Sequence, residues 1–220
     1  LLIDSAQFDK YIFDKIDLSE NIDMFFDSPV DELITKDKYI HIKSNNVIYG
    51  ANEVFDSRTS NIEASMYQVF LGYYINPVSS LDVVTPKLMD FTNENEFSFF
   101  YVIPFKDNSY LIEYTFFTPI IYSSDELKNN LDSYIMNEFG QYKLIRSEYG
   151  VIPMSPTLPV SDQVKNVHKI GIRSGATRPS TGYTFLNIQK QSEFFAKKIK
   201  GIYGKNPLLT MKAKILRKMD

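Results

Sequence analysis

The first amphipathic segment of the chain runs from Phe8 to Ile16. Phe8, Ile12, Phe13 and Ile16 recur at helical spacing, with Asp and Lys residues between them. Apolar residues three and four positions apart fall on one face of an α-helix. The pattern therefore predicts a short amphipathic helix.

Short apolar runs separated by turn residues replace this pattern between residues 24 and 55. The runs cover residues 24–26, 39–43, 47–49 and 53–55, and Ser44-Asn45-Asn46 separates two of them. Asn adopts the left-handed backbone conformation at low cost, so this tripeptide is typical of a tight turn. We expect a meander of strands here.

The next segment, from Met66 to Thr118, is also typical of strands and is unusually aromatic. Its runs cover residues 67–74, 88–91, 97–103 and 110–117, and Asp107-Asn108 favours a hairpin between the last two. These runs predict one antiparallel sheet with a broad aromatic face. Six aromatic side chains could line a substrate tunnel or simply pack in the core: Phe97, Phe99, Tyr101, Tyr110, Tyr114 and Phe116.

A second helix is predicted after this sheet. Ser123-Ser124 supplies an N-cap, and apolar residues at helical spacing continue to a stop near Gly140. Residues 141–148 and 168–172 indicate two further strands, and Thr181 or Gly182 opens a third helix. This order predicts an α+β fold, in which the first and last parts of the chain build one domain around an inserted sheet.

The composition narrows the possible chemistry. The 220 residues include no cysteine and two histidines, which excludes disulfides, Cys nucleophiles, thiolate metal sites and multi-His zinc sites. Acid–base chemistry must therefore come from carboxylates, tyrosines or a cofactor. No apolar stretch approaches the roughly 20 residues that a membrane-spanning helix needs.

Charge is unevenly distributed along the chain. The net charge is −3, but residues 190–220 hold nine Lys or Arg and two acidic residues. The aromatic residues lie upstream in the acidic part, so the pattern does not favour nucleic acid binding. A membrane surface fits the basic tail better, and a solvated helix face is the alternative.

A glycine-bearing loop lies between the predicted strand at residues 168–172 and the third helix. Gly171, Gly175 and Gly182 allow close backbone approach, and Arg173 and Arg178 add charge that suits phosphate. Such a loop before a helix N-terminus is a common anion site, although three glycines there also occur in plain turns.

Five stretches of the sequence together carry a family resemblance. Residues 150–154 (Gly-Val-Ile-Pro-Met) are followed by residues 170–185, which contain Pro-Ser-Thr-Gly-Tyr at 179–183. Residues 54–58, residues 67–72 and the pair 100–105 with 111–115 agree in the same order. The chain resembles the second half of lycopene beta-cyclases, especially the bacterial type.

The resemblance implies a fold and a domain plan. Residues 1–65 would form part of an FAD-binding domain of the α/β family. Residues 66–150 would form an inserted antiparallel substrate-binding sheet with a helix. Residues 151–220 would return to the FAD-binding domain and end in a helix and basic tail. The Gly-x-Gly-x-x-Gly fingerprint of dinucleotide-binding folds is missing, so we expect an internal fragment that lacks this N-terminal part and the C-terminal end.

The resemblance also implies a chemistry. A lycopene cyclase is an isomerase that protonates a terminal double bond of the carotenoid, so that the cation closes a ring. Reduced FAD would be a non-redox partner, with NADPH as the electron source. Glu113 matches the family's acidic position and would be the proton donor, on one strand face with Leu111 and Thr115, and Glu148 would remove a proton or orient the site. A carboxyl buried on an apolar strand would have a raised pKa.

The resemblance assigns further residues to cofactor binding and gives a place in the cell. The residues implied to contact FAD are Asp56, Arg58, Gly175, Thr181, Gly182 and Tyr183. The lycopene substrate would come from a membrane, with the protein cytoplasmic and peripherally attached to the inner face. The alternatives are an FAD-dependent isoprenoid reductase or hydroxylase of the same superfamily, or a non-enzymatic carotenoid binder.

Overall fold

The computed structural model describes residues 3, 5–36, 39–58, 64–79, 85–91, 97–154 and 164–199. The chain divides into two compact units. One comprises residues 1–54 with 164–167, and the other comprises residues 55–163 with 168–220. Helices and sheets are mixed, as the α+β prediction stated. The roles assigned to the ranges 1–65, 66–150 and 151–220 stay predictions.

The first unit contains one helix and a three-stranded antiparallel sheet. Its elements are α1 (Ser5–Asp17), β1 (Val30–Lys36), β2 (Tyr39–Ser44) and β3 (Val47–Ala51), with sheet order β1-β2-β3. The predicted helix, the meander and the turn at Asn45, with φ +51°, are confirmed. The apolar run at residues 24–26 is not a strand. Asp27 with φ +50° interrupts the extended backbone after it, and the Phe26 ring contacts Phe13 instead.

The second unit is built on a five-stranded antiparallel sheet. Its strands are β5 (Tyr67–Pro77), β6 (Lys87–Asp90), β7 (Ser98–Pro104), β8 (Tyr110–Thr118) and β9 (Tyr142–Pro153), in the order β6-β7-β8-β5-β9. The predicted antiparallel sheet and the β7–β8 hairpin, with Asn108 at φ +61°, are confirmed. β5 lies between β8 and β9 and pairs with both over most of its length.

A helix covers one face of this sheet. α2 (Ser124–Phe139) begins at the N-cap Ser123, which forms a capping box with Glu126, and ends at Gly140, as predicted. Its buried residues pack on alternate residues of the strands, among them Leu71, Ile112 and Tyr114. Burial of this apolar face is the main source of stability for the sheet. The side chains that alternate with these core residues project from the opposite face of the sheet.

The last described part of the chain contains the strand β10 (Val167–Lys169), two turns and the helix α3 (Phe185–Ile199). β10 pairs with an earlier strand, β4 (Val54–Asp56). The predicted strand at 168–172 stops at Lys169, because Gly171 has φ +61° and opens a 3-10 turn at Gly171–Ser174. α3 begins at Phe185 rather than at Thr181 or Gly182, because Gly182 has φ +68° and closes a separate turn.

No helix within the described residues is both long and apolar enough to cross a membrane. The basic tail that the sequence suggested as a membrane contact lies outside the described residues from 200 onward. α3, which precedes it, carries Lys197 and Lys198 in its last turn.

Candidate functional site

Two carboxyl groups lie in one cross-strand row on the sheet face opposite α2. Glu113 of β8 and Glu148 of β9 both pair with Gly72 of β5, one from each side. Tyr101 of β7 pairs with Glu113 and extends the row. Directly paired residues project from the same face of a sheet. The structure therefore places both predicted catalytic carboxyls on one surface, separated by a residue without a side chain.

Glu113 is largely buried within this face. Burial raises the pKa of its carboxyl to about 7, and the charge of Glu148 acts in the same direction. The Thr115 hydroxyl donates a hydrogen bond of 2.7 Å to Glu113 Oε1, which lowers the pKa in part. The predicted alternation is confirmed, because Ile112 and Tyr114 lie in the core on the other face.

Gly72 gives Glu148 room to lie over β5. A Cβ atom at Gly72 would be 3.1 Å from Cγ and 3.3 Å from Oε1 of Glu148, and 3.3 Å from Cδ1 of Leu111. The Glu148 side chain thus covers the backbone between itself and Glu113. On the same strand, Arg146 lies 3.7 Å from Glu148 Oε2, and its guanidinium stacks 3.6 Å from the ring centre of Tyr74.

The aromatic residues that were alternatives between tunnel and core divide between the two faces. Tyr110, Tyr114 and Phe116 belong to the core against α2. The other three lie on the Glu113 face in a cluster of edge-to-face ring contacts that Phe91 and Phe117 complete: Phe97, Phe99 and Tyr101. An apolar, aromatic wall therefore adjoins Glu113.

Asp56, at the end of β4, is buried and forms ion pairs with two arginines. Its Oδ1 accepts a hydrogen bond of 2.9 Å from Arg58 Nε, and Arg173 Nε lies 3.2 Å from Oδ2. Burial alone would raise the pKa of Asp56, but the hydrogen bonds from Arg58 and the charge of Arg173 outweigh it, so the pKa is lowered. The geometry ties β4 to the 3-10 turn. Contact of Asp56 or Arg58 with a cofactor stays a prediction.

Side chains of α3 hold the glycine-bearing loop in place. Gln191 is buried, accepts a hydrogen bond from the Gly171 N–H at 2.8 Å and donates one to Ser174 Oγ at 2.8 Å. Asn187 donates a hydrogen bond of 2.7 Å to the Ala176 carbonyl. Gly175, with φ +73°, caps the 3-10 turn, and its N–H donates to the Ile172 carbonyl.

The Pro-Ser-Thr-Gly-Tyr segment forms a second turn that approaches the sheet. The Gly182 N–H donates to the Arg178 carbonyl at 3.0 Å, and Thr181 Oγ1 accepts from the Tyr183 N–H at 3.4 Å. A Cβ at Gly182 would lie 1.9 Å from Gln68 Oε1 of β5. Gln68 lies four residues along β5 from Gly72, which is about 13 Å. The turn therefore meets the strand that separates the two carboxyls.

The Pro-Ser-Thr-Gly-Tyr turn carries an exposed arginine and precedes the N-terminus of α3. Arg178 is exposed and has no ion pair with any residue that the structure describes. The first turn of α3 presents backbone N–H groups that no helical carbonyl accepts. By contrast, Gln191 engages the N–H of Gly171, and arginines engage both oxygens of Asp56.

Three residues of the site were not identified from the sequence. Gly72 lay in a stretch that carried the family resemblance, but its place between two carboxyls depends on strand register. Arg146 and Tyr74 are brought together by the same register. A pattern of alternating residues assigns faces within one strand and does not tell which residues of distant strands meet.

Comparison with protein families gives a match over nearly the whole chain. The family model described as "Lycopene cyclase protein" matches residues 2–217. No curated protein matches the chain.

Solved structures share the fold at low identity. A geranylgeranyl bacteriochlorophyll reductase-like protein from Thermoplasma acidophilum has a TM-score of 0.62 and 18% identity, over 87% of this chain and 54% of that one. A flavoprotein/dehydrogenase from Cytophaga hutchinsonii has a TM-score of 0.57 and 14% identity, over 92% and 56%. The anhydrotetracycline hydroxylase OxyS from Streptomyces rimosus has a TM-score of 0.60 and 12% identity, over 99% and 47%. The chain spans about half the length of these structures.

Proposed function

Because the chain belongs to the lycopene cyclase protein family, we propose that the whole protein cyclises the linear ends of a carotenoid such as lycopene. The observation that carries this proposal is the Glu113 carboxyl, which is largely buried beside an aromatic wall and has a pKa near 7. An acid of that pKa keeps a protonated fraction at neutral pH and is a stronger proton donor than a lysine or tyrosine.

The proposed reaction is an isomerisation in which Glu113 donates one proton. The π electrons of the terminal double bond form a new C–H bond, and a second double bond of the polyene supplies the electrons of the ring-closing C–C bond. Loss of a proton beside the resulting cation forms the ring double bond, so one proton enters and one leaves. Glu148 is our candidate for receiving the second proton. The aromatic wall excludes water, and its ring faces stabilise positive charge.

We assign FAD to the side of the sheet where the Pro-Ser-Thr-Gly-Tyr turn meets Gln68. Thr181, Gly182 and Tyr183 would hold the flavin there with the first turn of α3, and Gly175 would shape the preceding loop. Asp56 and Arg58 would act near the pyrophosphate or ribose. Bound reduced FAD, with NADPH as electron source, would supply negative charge to the cation without net redox change.

We further propose a peripheral position on the inner face of a membrane, on the cytoplasmic side, from which the polyene is drawn. Described residues of α3 support this proposal, because Leu186 and Ile199 are exposed apolar side chains and the same helix carries Lys190, Lys197 and Lys198. Exposed apolar and basic side chains together favour contact with an anionic lipid surface.

The direct test is expression of the full-length gene in cells that accumulate lycopene, followed by chromatography and mass spectrometry of the pigments. We expect a cyclic product with the mass of lycopene from the wild type and from Glu20→Gln, a matched change at an exposed site. Glu113→Gln should lower product formation by at least about 100-fold, in line with loss of a general acid. Unchanged lycopene in the wild-type cells would refute the assignment.

A flavin-dependent isoprenoid reductase is the second candidate, and the shared fold with the reductase-like protein from Thermoplasma acidophilum is the observation that favours it. A reductase would add a hydride and a proton across a double bond, and that proton does not have to come from Glu113. A product heavier than lycopene by the mass of two hydrogens, formed equally by the wild type and Glu113→Gln, would support this candidate over cyclisation.

A further inference from the structure

The register on both sides of β5 points to a coupling between the two carboxyls of the row. We propose that Glu113 and Glu148 are electrostatically coupled across Gly72, and that Glu148 also acts as a positioning residue that keeps the proton on Glu113. The inference deepens the proposed function, on which the role of Glu113 as acid rests. The inference names the residues that determine the protonation state of Glu113.

Gly72 is the first step in this inference. Strands in a sheet are about 4.8 Å apart, so the Cα atoms of Glu113 and Glu148 are about 10 Å apart across β5. Any side chain on the intervening residue would stand between them. Because Gly72 has none, the Glu148 Cγ and Oε1 atoms come within 3.1 and 3.3 Å of its missing Cβ position. The side chain of Glu148 thus leans over β5 toward Glu113.

The second step is the unequal surroundings of the two carboxyls. Glu113 is largely buried and receives one hydrogen bond, from the Thr115 hydroxyl. The Glu148 side chain is 33% exposed and has Arg146 3.7 Å away. Water and a guanidinium both stabilise a carboxylate, whereas burial disfavours it. Burial therefore favours the protonated form of the Glu113 carboxyl.

The third step is the anchoring of Arg146. Its guanidinium lies 3.6 Å from the ring centre of Tyr74, one row along the same sheet face. This stacking holds the positive charge over Tyr74, one row along β5 from Gly72. Within the described part of the sheet, the titratable groups that face Glu113 are Tyr101 on β7, Tyr74 on β5, and Glu148 with Arg146 on β9.

The experiment is a pH titration of the Glu113 carboxyl in the purified full-length protein. Protein labelled with ¹³C at the glutamate side-chain carboxyls is followed by NMR, and Glu113→Gln assigns the signal. In Glu148→Gln the titration midpoint of Glu113 should fall by about one pH unit, because a neighbouring negative charge is removed. Glu20→Gln, which removes an equal charge at an exposed helix-proximal site, should leave it unchanged.

Two further variants test the geometry. Gly72→Ala should displace Glu148 and lower the Glu113 midpoint by a smaller amount, while Gly50→Ala, whose added Cβ meets no atom within 4 Å, should have no effect. Arg146→Met should raise the midpoint, because a stabilising positive charge is lost. Far-UV circular dichroism verifies that each variant is folded.

A midpoint of Glu113 that does not move in Glu148→Gln would overturn the proposal. This outcome is independent of catalysis, since the titration is measured without substrate. A shifted midpoint in a protein that leaves lycopene unchanged would uphold the coupling across Gly72 and refute the cyclase function. An unshifted midpoint in an active cyclase would refute the coupling and uphold the cyclase function.

Discussion

Burial beside a second carboxylate gives Glu113 properties that an exposed glutamate lacks. Its pKa of about 7, against an ordinary value of 4.5, means that the folded protein binds this proton more tightly than the unfolded chain. A raised pKa of this kind contributes stability below the unfolded value, and the contribution is lost as the pH rises through the folded value. The Glu113 carboxyl should therefore lower the stability of the folded protein above neutral pH.

Glu113→Gln should remove this loss of stability above neutral pH. The variant carries no ionisable group there, so it should be more stable than the wild type at pH 8, by about 3 kcal/mol at most, with little difference near pH 4. Urea unfolding at the two pH values measures the difference. Glu20→Gln should show no such pH dependence, and an equal stability difference at both pH values would contradict the explanation.

Gly182 depends on both its backbone conformation and its neighbour. It has φ +68°, and an added Cβ would overlap Gln68 Oε1 at 1.9 Å. Gly182→Ala should therefore lower the free energy of unfolding by about 1–3 kcal/mol, measured by urea denaturation. Gly50→Ala, which meets no nearby atom, is the matched control.

The double variant Gly182→Ala with Gln68→Ala separates the two causes. Truncating Gln68 should recover the steric part of the loss and leave the backbone strain, which costs about 1 kcal/mol for a non-glycine residue in this region. A complete recovery would show that backbone conformation at Gly182 is unimportant.

Among the elements, β4 and the 3-10 turn are joined by ion pairs. Asp56 pairs with Arg58 and Arg173, and Arg173 also donates a hydrogen bond of 3.1 Å to the Arg58 carbonyl. These contacts fix where the glycine-bearing loop starts. A buried carboxylate between two arginines stabilises its surroundings only while it is ionised.

Asp56→Asn should lower the free energy of unfolding by about 2 kcal/mol at neutral pH, because two arginines lose their common counter-charge. The pKa of Asp56 lies below its usual 3.8, so its stabilisation is present above that value and is lost as the pH falls through the folded value. Urea unfolding should show the difference from the wild type shrinking at low pH. Asp14→Asn, in an exposed pair with Lys10, should change stability by less than about 0.5 kcal/mol.

Over the whole molecule, the sequence correctly predicts the elements that are bounded by a helix cap or a tight turn. The Ser123 capping box and Gly140 bound α2 as expected, and the Asp107-Asn108 hairpin joins β7 to β8. The sequence pattern does not predict strand β1, because the segment Val30–Lys36 holds only three apolar residues, Val30, Leu33 and Ile34, and they do not alternate with polar ones. The start of α3 was predicted too early, because Gly182 was read as part of the helix.

For the candidate site, too, the sequence predicted some features and the structure was needed for others. Its residue types, the faces of β8 and the family were apparent from the sequence, and the family is confirmed by the match over residues 2–217. The role of Glu113 and the cofactor contacts stay predictions. The division of the aromatic residues between the face that α2 covers and the face of Glu113 was not apparent, because it required knowing which face α2 covers.

The sequence by itself determined that Glu113 lies on an apolar strand, with Thr115 on its face and Ile112 opposite, because side-chain alternation is a local property of the extended chain. Only the tertiary structure decided that Glu148, from a strand beyond α2, lies across Gly72 from it. That placement follows from the pairing register of β8 and β9 with β5. Register is set by the packing of the whole sheet, and no local pattern encodes it.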